Sequence, residues 1–222
     1  MKKLLPAALS HFIFLFSLFT AALCAASPFS PLQIGIDAGL EGKQLVSRET
    51  PVIGLRLNLP HSQNDSVTGL DLGLMSFSDT FAGLRLNAFC SVSSTCNGLS
   101  LAFVDGVLTF NGIQIAVFGF VVETLRGVQI CAMPMTQTIH GAQFGLVNRA
   151  DSVHGLQIAP LNFACNIFEH PDDMRPADPG TVRGLQIGLV NYARSLHGLQ
   201  LGLLNIVPDS PLPVLPLLRA SF

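Results

Sequence analysis

The sequence predicts an all-β protein: an antiparallel meander of about twelve short strands closed into a barrel, with a β-solenoid as the alternative. Three observations lead there. A Gly-led unit recurs ten times at intervals near 14 or 15 residues, each unit alternates with a period of two, and turn formers lie between units. The composition agrees with a packed, poorly charged chain. Of 222 residues 49% are hydrophobic and only 12% charged, against roughly 25% charged in an ordinary soluble domain. That balance argues against disorder. A formal net charge of −2 leaves nothing basic enough to grip a phosphate backbone, so nucleic acid is not an expected partner.

The N-terminal element, residues 1–26, has the layout of a secretory signal peptide. Lys2 and Lys3 form a positive start, residues 4–23 are almost wholly apolar, and Ala21, Ala22, Ala25 and Ala26 offer cleavage sites. A retained anchor is the competing reading, since about 20 apolar residues could span a bilayer. Lipidation at Cys24 is disfavoured because Leu23, not a small residue, precedes it. Removal of the two lysines leaves ten basic against fourteen acidic residues, a net of −4. Residues 27–222 then form a single β-repeat domain.

A first strand is expected over 32–40 (LQIGIDAGL). The ten units follow, over 54–205, beginning at Gly54, Gly69, Gly83, Gly98, Gly112, Gly127, Gly141, Gly155, Gly184 and Gly198. The most regular, GLQIGLVN at 184–191, puts Leu185, Ile187, Leu189 and Asn191 on one face and Gly184, Gln186, Gly188 and Val190 on the other. The residue two before each leading glycine is Val, Phe, Leu, Ile or Cys, and the residue two after it is polar. An early alternation of 14 and 15 favours the meander, because the two ends of a hairpin array can differ by one residue. An eight-residue strand at about 3.3 Å per residue also leaves little chain to return in a coil of this length. A last strand over 215–222 completes an even count, which suits antiparallel barrels. Such a barrel fits a bilayer in height, although girdles of Trp and Tyr are missing and four prolines lie in the final segment.

The units GAQFGLVN (141–148), GLQIGLVN (184–191) and GLQLGLLN (198–205) resemble those of a bacterial surface-repeat family built from GLQxGLxN units. The segments GLRLNLPHSQNDSVTGLDLGL (54–74) and LPVLPLLRASF (212–222) resemble the flanks of its repeat array, and the likeness covers 31–222. It implies an exported, envelope-associated β-protein of the outer membrane or cell surface, with the periplasm as second choice. It brings no catalytic residues. The middle units depart from the pattern at Ser100, Ala102, Val104 and Met133-Pro134, so regular pairing around 98–138 is in question.

Four groups of residues are candidate sites. Arg56, Asp71, Arg85, Gln114, Gln129, Gln143, Gln157, Gln186 and Gln200 point to one face and form a polar interior ring. Such amides satisfy one another in a tight interior or line a narrow pore or small-ligand cavity. Cys90 and Cys96 flank SVSST where two strands meet, and a disulfide there suits an oxidising envelope. The insert at 166–181 breaks the period and gathers Glu169, His170, Asp172, Asp173 and Asp178 as a candidate partner loop, outside any calcium-loop pattern. His140, His154 and His197 each precede a repeat glycine and read as polar strand ends; only a solenoid would bring them near one another. No zinc spacing, GxSxG, HExxH or P-loop occurs, so neither metal, cofactor nor enzymatic chemistry is expected. The expected role is a structural or interaction protein of the bacterial envelope with the membrane as partner; the alternative is a pore or carrier.

Overall fold

Every repeat lies in parallel register on the one before it. The computed structural model describes residues 29–36, 44–165 and 180–222, and among these there are eight strands and no helix. Strand β1 (Ser30–Gly35) pairs in parallel with the start of β2 (Val52–Phe144), a continuous run of 93 residues that carries seven of the leading glycines. The rest of the chain is β3 (Val147–Ile158), β4 (Leu161–Ala164), β5 (Thr181–Ile187), β6 (Val190–Ala193), β7 (Ser195–Ile206) and β8 (Val214–Ser221). Parallel pairings run from β3 to β4, β6, β7 and β5 and return to β3, a closed barrel-like cycle of five strands. The cycle is a winding coil. One leg stacks 152–158, 181–187 and 195–201; the other stacks 147–150, 161–164, 190–193 and the end of β7.

The all-β expectation holds, and the antiparallel meander of about twelve strands does not. The reason lies in the unit GLQIGLVN. Residues 184–187 close β5, Gly188 and Leu189 make a corner, and Val190 and Asn191 open β6. The phase of the alternation slips by one at that corner, so Asn191 joins Gln186 in the buried interior instead of following Leu185 outward. What reads as one eight-residue strand is two legs of a coil. The 14/15 alternation arises at the same place. Asn58 to Ser62 and Asn87 to Ser91, all buried, span one residue more than Gly73 to Ser76 and Ala102 to Asp105.

The core is a column, one residue per coil. Val52, Val67, Phe81, Cys96, Phe110, Leu125, Ile139, Val153, Val182 and Leu196, each two before a repeat glycine, are buried and packed together. The leading glycines stack just beside it. At Gly141 φ is +148°, and an added Cβ would sit 2.0 Å from the carbonyl oxygen of Gly127. Only glycine meets both demands at this approach. The stack therefore needs glycine once per coil, which is why that residue keeps the repeat. The departures near 98–138 leave pairing intact, since Phe110, Leu125 and Ile139 keep their places in the column.

The C-terminal end is closed differently. Strand β8 runs antiparallel to β7, with Gln200 opposite Arg219 and Gly198 opposite Ser221. A pairing strand there satisfies the last coil's open edge. It also corresponds to the closing strand expected over 215–222. The first strand is shorter than expected, ending at Gly35, and 37–43 lie outside the described residues, as do residues 1–26, where a signal peptide is expected, and residues 166–179 of the insert.

Candidate functional site

The nine residues of the expected polar ring are all fully buried, and the coil stack brings them into one file along the axis, not around a ring. Gln33, opposite Arg56 in β1, extends the file at one end, and Ser100 fills the place between Arg85 and Gln114. From Gln114 onward the amides bond to each other. Gln129 Nε2 donates to Gln114 Oε1 (2.7 Å), Gln143 to Gln129 (2.9 Å), Gln157 to Gln143 (2.8 Å), Gln186 to Gln157 (2.7 Å) and Gln200 to Gln186 (2.7 Å). Every donor points toward the N-terminal end. Gln200 Oε1 is left as the terminal acceptor without a partner.

A second file runs the other way. Asn148 Nδ2 donates to Asn162 Oδ1 (2.9 Å), Asn162 to Asn191 (2.9 Å) and Asn191 to Asn205 (2.8 Å). Small residues leave room for these ladders; a Cβ on Gly188 would lie 2.7 Å from Asn162 Nδ2. Two antiparallel amide ladders thus fill the interior of the C-terminal coils. Cavities of about 700 and 440 Å³ occur elsewhere, the larger beside His197, Val207 and Arg219 and the smaller beside Phe77, Ser93 and Val122. No glutamine of the file lines either one.

The N-terminal coils use charge in place of amides. Asp71 sits between Arg56 and Arg85, receiving Arg56 Nε at 3.0 Å and NH2 at 2.7 Å, with Arg85 Nε at 3.2 Å. Ser76 Oγ and Asn58 Nδ2 donate to the same carboxylate, and Ser78 and Ser93 accept from Arg85. Arg85 also lies 4.1 Å over the Phe81 ring. Burial pushes the Asp71 carboxyl up, but the Arg56 hydrogen bonds and the two guanidinium charges outweigh it and hold the carboxyl below its usual range. Asp105 is the contrast. It is fully buried, neither of its carboxylate oxygens has a hydrogen-bond partner, and burial raises its pKa. The same residue type is an ion in one coil and held toward the neutral acid two coils later.

Cys90 and Cys96 are both free, so the expected bridge is not formed. Cys96 occupies the buried apolar file two residues before Gly98, whereas Cys90 is half-buried beside the inward Ser91. The expectation rested on facing hairpin strands, and in a coil the two residues lie on successive parts of one turn. Cys131 and Cys165 are also free, Cys131 buried and Cys165 half-buried. Among the described residues no group of His, Cys, Asp or Glu could hold a metal ion. The partner-loop residues Glu169, His170, Asp172, Asp173 and Asp178 lie outside the described residues.

The outer surface of the coils carries the apolar face of the repeat pattern and the histidines that a solenoid was expected to join, together with a hydroxyl file that the sequence reading missed. Outward positions after each glycine are Leu, Ile, Val, Phe or Ala, and they continue round the corner, where Phe89, Leu146, Leu189 and Leu203 are each more than half exposed. Just before each glycine, His140, His154, Arg183 and His197 are consecutive partners in register. Parallel stacking joins the three histidines that an antiparallel sheet would have split between two ends; His140 and His154 stack with ring centroids 4.8 Å apart. A signal was present: subtracting three from each glycine number finds Ser or Thr in nine of ten units. The chain matches no family model, no curated protein and no solved structure.

Proposed function

We propose that this chain is an exported structural or interaction protein of the bacterial envelope, acting at the outer membrane or cell surface through its outer faces and carrying out no catalysis. One observation carries the reading: the outward positions after the glycines are apolar in every coil, and Leu84, Leu101, Ile113, Ile130, Leu189 and Leu203 among the outward apolar residues are exposed. Monomeric soluble proteins rarely expose contiguous apolar area beyond a few hundred Å² unless it meets a partner or a membrane. The signal-peptide layout of residues 1–26 and the likeness to the surface-repeat family support the same reading. The interior ladders serve stability in this account, because the amides that would line a pore are bonded to one another. Cell fractionation of the full chain tests it. The protein is expected in the envelope fraction, released by detergent and not by salt alone. Recovery wholly in soluble periplasmic extract, with detergent adding nothing, would overturn it.

A further inference from the structure

The last coil has no coil beyond it, and β8 covers only part of its open edge. Pairing with β8 starts at Gly198, opposite Ser221, so Ser195, Leu196 and His197 pair with β5 on one side and with no described strand on the other. Between these residues, the loop after β7 and the end of β8 lies the cavity of about 700 Å³. That size is in the range of small-molecule sites, about 300–1,000 Å³. Leu196 is the last member of the core column, and it lines the cavity with Val207, Leu212 and Leu215. Earlier column residues are covered by the next coil; over Leu196 the cavity takes that place.

The same cavity is lined by Arg219, the one charged residue of β8. It stands opposite Gln200 at the end of the buried polar file and is itself only 5% exposed. Among the described residues its guanidinium has a single polar partner, the Pro213 carbonyl at 3.3 Å from NH1, and no ion pair. Burial lowers its pKa and is the sole cause of that shift, so no neighbouring acid compensates it. A buried guanidinium without a counter-ion is costly, because buried charges are stable when paired. The other charged groups nearby do not meet this need. Arg194, His197, Asp209 and the terminal Phe222 are all exposed, where water and salt screen their charges.

We propose that the cavity at the C-terminal end of the coil stack binds a small amphiphile, a single apolar chain bearing one carboxylate, with the carboxylate on Arg219 and the chain against Leu196, Val207 and Leu215. The chemistry is complementary at both ends of such a molecule. A carboxylate accepts two parallel N–H bonds from the guanidinium fork, and in a buried setting that pairing is stronger than in water. The apolar chain covers the end of the core column, as a further coil would. The site is independent of the envelope reading, since fractionation and ligand binding are separate measurements and either can fail alone.

Isothermal titration calorimetry of the full chain with decanoate, kept below its micelle concentration, tests the site, with decan-1-ol as the uncharged match. Decanoate should bind saturably, and decan-1-ol about tenfold more weakly. R219Q should weaken decanoate by about tenfold, the loss of a charged hydrogen bond, and leave decan-1-ol unchanged. S210F fills the cavity from its loop side and should remove binding of both probes while the circular dichroism spectrum stays that of the parent. Equal affinity for the two probes, decanoate binding that ignores R219Q, or binding that survives S210F would overturn the proposal, as would the absence of saturable binding. The insert acids Glu169, Asp172, Asp173 and Asp178 precede Gly180, whose carbonyl accepts from the Arg194 and Ser195 amides at this end of the stack. Decanoate binding seen only in E169Q/D172N/D173N/D178N would show that these acids oppose an anion there, and would overturn the proposal for the natural chain.

Discussion

Replacing Gln157 by Leu breaks the longer amide ladder in its middle. Gln143 Oε1 loses its Gln157 donor at 2.8 Å, and Gln186 Nε2 loses its acceptor at 2.7 Å, keeping only the long contact of 3.5 Å to the Tyr192 carbonyl. A buried polar group left unpaired costs about 1–3 kcal/mol, so two place the loss at about 2–6 kcal/mol. Leu is close to Gln in volume, which keeps the cavity contribution small. Q200L is the internal control. Gln200 makes one ladder bond, and its own Oε1 already has no partner, so the replacement orphans one acceptor while removing another. Its cost should fall near 0–2 kcal/mol. The sharper comparison is Q143L/Q157L. That double replacement again leaves Gln186 Nε2 short of its ladder acceptor, but Gln129 Oε1 still accepts from Thr136 Oγ1 at 2.8 Å. The cost should follow the number of broken ends, so the double variant should be no less stable than Q157L alone. Urea unfolding followed by far-ultraviolet circular dichroism gives the midpoints, with an unchanged slope required for the comparison. Equal losses for Q157L and Q200L, or additive losses in the double variant, would refute the ladder account.

The two buried aspartates should respond with opposite sign. D71N strips the counter-charge from Arg56 and Arg85 and should cost about 3–5 kcal/mol, whereas D105N removes an ionisation that burial opposes and should leave stability at pH 7 unchanged or higher. Because its pKa is lowered on folding, the Asp71 contribution is complete above the free carboxylate range and is lost as pH falls through the folded value; Asp105, with a raised pKa, costs stability above the free range and ceases to do so in acid. Urea midpoints of both variants across pH 3–8 check these signs. Deletion of 141–154 rejoins His140 to Gly155 and removes one whole coil. In a parallel stack only nearest-neighbour contacts are lost, so this deletion should fold at least as well as deletion of 127–154, measured as soluble folded yield; a clear advantage for the larger deletion would point back to an antiparallel sheet. Burial pushes the Cys96 and Cys131 thiols up to about 12, so iodoacetamide at pH 8 should label Cys90 and Cys165 first and reach the other two only on unfolding, read by peptide mass spectrometry.

The sequence by itself determined the β character, the unit length and the inward residues that flank each repeat glycine, but not the asparagine file. A glycine every 14 or 15 residues, an apolar residue two before it and a polar one two after it are local facts, and the structure keeps each of them. Strand direction was decided only by the tertiary fold. The unit GLQIGLVN alternates across a corner almost as it would along a strand, and the one-residue slip that turns Asn191 inward leaves no mark in a pattern of apolar and polar letters. The opposite pKa shifts of the two buried aspartates were likewise a matter of stacking. Asp71 and Asp105 are the same letter, but the coil places two arginines against one and none in contact with the other. The outer row of His140, His154, Arg183 and His197 follows from the same cause. Residues 14 or 29 apart become neighbours when coils stack in parallel, whereas antiparallel pairing would send alternate members to opposite ends of the sheet.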